Sequence, residues 1–182
     1  MAITPLQNRK EACQMAGVAG AQVGSCAEAI VIPAQAQCMR PEEWSLFILV
    51  NQDREKELLP KLELDCRLSI AARLHSQDMS DRGYFEHNSP GPNGTTPADR
   101  ITAQVKRFLV VGENIAKASE EVSMQMIEAG FMASEGHREN ILKPDYTHLG
   151  IGCVRAGSLL FCTQNFGGHP MPETLKDFPN AK

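Results

Sequence analysis

The stretch from Leu149 to Phe166 leaves this chain little choice of local structure. Leu149, Ile151 and Cys153 alternate with Gly150 and Gly152, the two-residue period of a strand with one apolar face. Leu160, Cys162, Gln164 and Phe166 repeat that period on a return strand. Between them stands Gly157-Ser158, a dipeptide suited to the type II′ loop of a hairpin. Such a loop pairs Ala156 with Leu159. Counting outward, it sets Cys153 opposite Cys162 at a non-hydrogen-bonded position, where two strands approach most closely. A Cys153–Cys162 disulfide is the expectation, and two reduced cysteines packing as small apolar groups is the other reading. Glycines at 150 and 152 imply that something packs very close on that side of the strand.

Upstream, the periodicity changes to that of helices. Pro41-Glu42-Glu43 opens one well, because Pro suits a first turn and acids suit the positive end of the helix dipole. Trp44, Phe47, Ile48 and Asn51 share a face, and Leu59-Pro60 ends the run. Asp65 can cap a second helix on which Leu68, Ala72, His75 and Met79 recur, with Gly83 as its stop. Residues 88–98 are turn-rich, and Pro97 starts a short helix. Phe108 to Val111 reads as a brief buried strand. Ser119 can cap a helix buried along Met124, Ile127 and Phe131, and Ser134 a short one reaching about Leu142. Helices combined with a small, largely antiparallel sheet make the fold class α+β. The expected organisation is an N-terminal segment over residues 1–40, one domain over 41–168 and a tail over 169–182.

The chain has 182 residues, enough for one domain with a full core. Its net charge is −4 and it has no dense run of Lys or Arg, so nucleic acid and anionic membrane are poor candidate partners. No apolar run approaches the ~20 residues of a membrane helix. The first 40 residues admit two readings. Arg9-Lys10, a small-residue stretch and Ala34-Gln35-Ala36 resemble a degenerate secretory signal, but Gln14, Gln22 and Glu28 interrupt it, as they would in a plain extension. Six cysteines are many for a cytosolic protein of this size, and Cys13, Cys26, Cys38 and Cys66 cannot be paired from spacing.

Three separate segments carry groups for chemistry: Phe85-Glu86-His87-Asn88-Ser89-Pro90, Gly112-Glu113-Asn114-Ile115-Ala116 and Gly136-His137-Arg138-Glu139-Asn140-Ile141-Leu142. Brought into one cleft, His87, Glu113 and His137 could bind a metal or move a proton. Zn²⁺ is the ion that two imidazoles, His87 and His137, would suit, although no H-E-x-x-H is present and no cofactor is required. A self-satisfied structural His-Glu-His network fits equally well. Ser134 and His137 are three apart, which invites a nucleophile reading. Without a G-x-S-x-G turn, Ser134 reads as a helix cap. His75 lies on an apolar helical stripe, as a core histidine that could also reach the cleft from below. Arg54 and Arg138 are expected in local ion pairs, and His148 and His169 at the surface.

These phrases also carry a family resemblance. Val50-Asn51-Gln52-Asp53-Arg54, the run Ala71 to Met79, the three segments above, Gly150-Ile151-Gly152 and Thr163-Gln164-Asn165-Phe166-Gly167 fall in the order and wording of the CAP superfamily. That group comprises cysteine-rich secretory, antigen 5 and pathogenesis-related 1 proteins, and the match is closest to its bacterial SCP-domain branch. The resemblance implies an α-β-α sandwich with a central cleft lined by His87, Glu113 and His137; Ser134, His75 and Gln164 are further candidates for its lining. The family's second acid falls at Ser134, and Phe131 stands for its Trp. The acidic set is therefore incomplete, which weighs against catalysis. The resemblance further implies export to the cell exterior or envelope. Three functions follow from it: binding of a small apolar ligand such as a lipid or sterol, or of a peptide; a metal-assisted hydrolase using His87, His137 and Glu113; and a protein-interaction module with an empty cleft.

Overall fold

A computed structural model describes residues 37–91 and 94–170, with side chains to 168. The expectations for residues 1–36 and 171–182, and for the His169 side chain, lie outside the described residues. In chain order the elements are α1 (Pro41–Lys56), β1 (Glu63–Leu64), α2 (Cys66–Arg82), α3 (Pro97–Gln104), β2 (Phe108–Ser119), α4 (Met124–Ala133), α5 (Glu135–Leu142), β3 (Tyr146–Ala156) and β4 (Leu159–Pro170). The strands form one sheet in the order β1-β3-β4-β2. Only β1 and β3 run parallel. The fold is an α+β sandwich with helices on both faces of a largely antiparallel sheet.

The hairpin folds as its loop dictates. Gly157 takes φ +58°, Ala156 pairs with Leu159, and Cys153 pairs with Cys162. The cysteines form a disulfide, with Cα atoms 4.2 Å apart. That separation belongs to a non-hydrogen-bonded pair. The Cys153 peptide groups turn elsewhere: its N–H donates to Glu43 Oε1 (2.9 Å) and its carbonyl accepts from Arg40 Nη1 (3.0 Å). A second disulfide, Cys38–Cys66, ties the entry of α1 to the start of α2.

The glycine face of β3 receives α2. A Cβ at Gly150 would lie 2.2 Å from Ser69 N, and one at Gly152 would lie 2.1 Å from Arg73 N. Both are backbone atoms of α2, so the helix cannot move aside side chain by side chain. Hydroxyls seal the contact: Ile151 N–H donates to Ser69 Oγ (3.2 Å) and Ser76 Oγ donates to the Gly152 carbonyl (2.8 Å). On the opposite face, Leu149, Ile151, Cys153, Leu160, Cys162 and Phe166 form the larger core with Leu46, Phe47 and Val50 of α1 and Ile127 and Phe131 of α4.

Several local expectations are corrected. The strand at Phe108 does not stop at Val111 but runs to Ser119, so Ser119 ends a strand and Ser123 caps α4, accepting from Met126 N–H. Ser134 occupies the N-cap position of α5 with no capping bond from its side chain. Arg54 forms no ion pair among the described residues. Fully buried, its guanidinium donates to the carbonyls of Pro60 (2.9 Å), Ile141 (2.8 Å), Lys143 (2.9 Å) and Tyr146 (3.5 Å). It therefore joins the end of α1 to the α5–β3 turn by peptide groups rather than by charge. Arg138 likewise donates to the Met132 carbonyl. His148 is buried rather than exposed, tilted against Phe108 and 3.5 Å from Glu63. Burial, the largest cause, holds its pKa below the usual histidine range.

The C-terminus of α1 closes differently from a Pro stop. Leu58 N–H donates to Glu55 O and Leu59 N–H to Arg54 O, the two bonds of a Schellman motif. Its left-handed position is Leu58, at φ +57° and almost fully exposed, where glycine is the usual residue.

Three stability outcomes follow, each read as the urea midpoint at fixed slope. Gly152→Ala drives a methyl into the α2 backbone and costs about 3 kcal/mol. Arg54→Ala strips donors from buried carbonyls and costs about 3–5 kcal/mol. Leu58→Gly relieves a left-handed Leu and gains about 1 kcal/mol. A neutral Gly152→Ala would mean that α2 does not lie on the strand as described.

Candidate functional site

Glu113 lies in the middle of β2, paired with Asn165 of β4, and its carboxylate is almost fully buried. The pleat sends this side chain toward α2 and sends its neighbour Asn114 to the other face. Three groups converge on the carboxylate. Arg100, from α3, donates to Oε2 at 2.8 Å. His87, from the loop after α2, sits with Nδ1 3.0 Å from Oε1. His75, from α2, brings Nε2 to 3.7 Å from the same oxygen. Asn165, in the amide orientation that satisfies both its neighbours, donates to Oε2 (3.3 Å) and accepts from Ala72 N–H (3.0 Å).

These contacts assign the histidine tautomers. The carboxylate can only accept, so His87 carries a proton on Nδ1, on a ring that is half-exposed. The Glu86 carbonyl, 3.1 Å from His75 Nε2, likewise draws the proton to that nitrogen. His75 is wholly buried, and burial, ahead of the opposing attraction of Glu113, holds its pKa below the usual histidine range. It stays neutral at pH 7. Tyr84 lies beside it, with its hydroxyl 3.5 Å from His75 Nδ1 and donating to the Asp78 carboxylate. His75 is thus both a core histidine and the floor of the site.

His137 approaches from α5. Its ring meets Phe131 edge-on at 5.2 Å, and its carbonyl accepts from Asn114 Nδ2 (3.1 Å). No hydrogen bond or ion pair joins it to Glu113 among the described residues. Burial, and then repulsion from His87, lower its pKa. The two rings are therefore electrostatic neighbours across the β2 edge, although only His87 touches the carboxylate. Ser134 lies half-buried at the junction of α4 and α5 and donates its N–H to the Phe131 carbonyl.

Gln164 is placed apart from this group. It pairs with Asn114 and is fully buried on the α4 face. Its Nε2 donates to Glu128 Oε2 (3.1 Å) and its Oε1 accepts from Asn114 Nδ2 (3.0 Å). Asn140 Nδ2 in turn donates to Asn114 Oδ1 (2.9 Å). Sequence reasoning missed Arg100, Asn165, Asn114, Asn140 and Glu128. Arg100 stands in a short polar helix and Glu128 in an apolar one, and spacing alone gives neither a partner. Asn114, Asn140 and Asn165 stood inside the family phrases, which signalled importance without direction.

Among the described residues, no group of three or more His, Cys, Asp or Glu is arranged to hold a metal ion. Arg100 pairs with Glu113 Oε2 at 2.8 Å, so a cation placed against that oxygen would meet a like charge. A buried carboxylate held between a guanidinium and a half-exposed imidazole is the arrangement present.

Comparison with known proteins identifies the family. Residues 47–166 match the profile of CAP, the Cysteine-rich secretory protein family. The Bacillus subtilis protein YkwD is 42% identical over 120 residues, covering 66% of this chain and 44% of that protein. The Bacillus subtilis membrane protein YlbC is 38% identical over 124 residues, covering 68% of this chain and 34% of its own length. The chain thus spans less than half the length of these curated relatives. Among solved structures, an extracellular SCP-domain protein from Bacillus anthracis superposes with TM-score 0.62 at 36% identity, covering 70% of this chain and 40% of that one. An outer surface protein of Borrelia burgdorferi superposes with TM-score 0.64 at 20% identity over 71% and 94% of the two chains, a likeness of fold alone. With residues 47–166, two-thirds of its length, matched to the family profile, the chain belongs to the CAP family of cysteine-rich secretory proteins.

Proposed function

We propose that this chain supplies an extracellular or envelope CAP domain that binds an apolar ligand with a polar head, such as a lipid or sterol, at the His87–His137 edge of β2. The observation that carries the reading is the engagement of Glu113 by Arg100 and His87 at 2.8 and 3.0 Å. A metal-assisted hydrolase needs a carboxylate free to take a proton from water. Here water would have to displace a guanidinium or an imidazole to reach one. The second acid is also missing, since Ser134 stands in its place.

What remains for a ligand is recognition chemistry. His87 offers a half-exposed imidazole, His137 a neutral ring, and Phe85 a partly exposed aromatic face two residues from His87. A few polar groups beside apolar surface suit a ligand held by contact rather than by reaction. Two disulfides and the extracellular description of the Bacillus anthracis relative support location outside the cytoplasm. No described helix is long and apolar enough to cross a membrane.

The test is binding of a fluorescent fatty acid to the purified chain, with and without EDTA. Affinity indifferent to EDTA is expected, with His87→Ala and His137→Ala each weakening it about tenfold, or about 1.4 kcal/mol. Binding of a peptide in place of the fatty acid would replace the ligand class. Zinc-dependent hydrolysis that disappears in a folded Glu113→Gln variant would overturn the binding reading in favour of the metal-assisted hydrolase.

A further inference from the structure

We propose that Glu128, buried beneath α4 on the face of the sheet opposite Glu113, is a proton-responsive element that sets the position of His137 through the side-chain amides of Gln164 and Asn114.

The geometry has three parts. First, Glu128 is 3% exposed, and its Oε1 has no hydrogen-bond partner among the described residues. A carboxyl group held in this way is costly as an anion and is poised to keep a proton. Second, its other oxygen is the end of an amide chain. Gln164 Nε2 donates to Glu128 Oε2, Asn114 Nδ2 donates to Gln164 Oε1, and the same Asn114 amide donates to the His137 carbonyl. Third, Glu128 stands three residues before Phe131 on the same helix, and Phe131 is the ring against which His137 packs. A shift of α4 therefore reaches His137 by two routes.

The groups that face Glu128 define what its ionisation would do. From α1 come Asp53 and Lys56, paired with each other at 2.6 Å, with Lys56 mostly exposed. β4 presents the neutral amide of Gln164, while β2 and α5 connect through the neutral amides of Asn114 and Asn140. Burial, then the Asp53 charge, push the Glu128 pKa up to about 8, against the lesser pull of Gln164 and Lys56. Below that pH a neutral acid accepts from Gln164. Above it, a carboxylate must draw in water or turn Lys56 away from Asp53. Either event shifts the α4 surface that holds Phe131.

The effect on stability has a definite sign. The unfolded chain releases this proton in the ordinary carboxylate range, about 4.3. The folded chain keeps it until about 8. Across that window the native state binds more protons, so the contribution of Glu128 to stability falls as pH rises.

The functional consequence rests on the binding edge proposed above, but the test needs no ligand, so the two can fail separately. The full chain is followed by carbon-detected NMR from pH 5 to 9.5. The Glu128 carboxyl carbon is expected to titrate with a midpoint near 8. The His137 ring and Asn114 side-chain amide should shift with the same midpoint, distinct from the protonation of His137 itself below its usual range. In Glu128→Gln that inflection should vanish, and the Tm advantage of the variant over wild type should widen from pH 5 to 8. A Glu128 carbon titrating in the ordinary range overturns the proposal. A midpoint near 8 with His137 and Asn114 silent overturns it as well, leaving only a buried acid. Should Glu128→Gln fail to fold, the wild-type titration decides alone.

Discussion

The missing side chains of Gly150 and Gly152 are the constraint from which the rest of the arrangement follows. Because β3 has no Cβ there, α2 settles onto the strand backbone, close enough for Ser69 and Ser76 to bond its peptide groups. That depth carries His75 down to the level of the sheet, where its Nε2 comes within 3.7 Å of the carboxylate on β2. A helix resting on side chains would sit several ångströms higher, and the floor of the site would be lost. The site is thus fixed by a packing contact two strands away from Glu113, with β4 between β3 and β2 transmitting the position.

Much of this scaffold was legible because its signals are local. The Gly-Ser loop set the hairpin register and hence the Cys153–Cys162 disulfide; Asp65 and Gly83 bracketed α2; Pro97 opened α3. The long second half of β2 was not legible, for a physical reason. Glu113, Asn114, Lys117 and Ser119 break the apolar alternation that identifies a strand. They do so because Glu113 serves the site on one face and Asn114 an amide network on the other. Arg54 escaped for a related reason. A search for partners of a charge looks for acids, whereas this guanidinium is satisfied by four carbonyls distributed over three segments. Backbone acceptors leave no mark on a sequence.

For the candidate site, the sequence named three residues but neither the Arg100 that holds the carboxylate nor the separation of Gln164 from it. The family phrases supplied His87, Glu113 and His137, and the structure brings all three to the same edge of the sheet. They do not form an equal triad. Arg100, invisible to spacing, holds the carboxylate, and His87 is the imidazole that shares it. A metal reading treats the three as ligands around a common point. An Arg-Glu-His arrangement instead has a direction, from a largely covered guanidinium through a buried carboxylate to a half-exposed imidazole.

The consecutive residues Glu113 and Asn114 explain why one strand can serve two polar systems without conflict. Neighbours in a strand point to opposite faces, so the charged cluster lies toward α2 and the amide chain toward α4, with the β2 backbone as insulation between them. At the edge, Asn140 Nδ2 bonds both the Glu113 carbonyl and the Asn114 side chain. His137, on the same short helix as Asn140, hangs from that junction. Its carbonyl is held by the neutral amide of Asn114 and its ring lies against Phe131, while His87 is positioned by charge. Two imidazoles of one family motif thus respond to different physics: the first to whatever competes for a carboxylate, the second to whatever moves a helix.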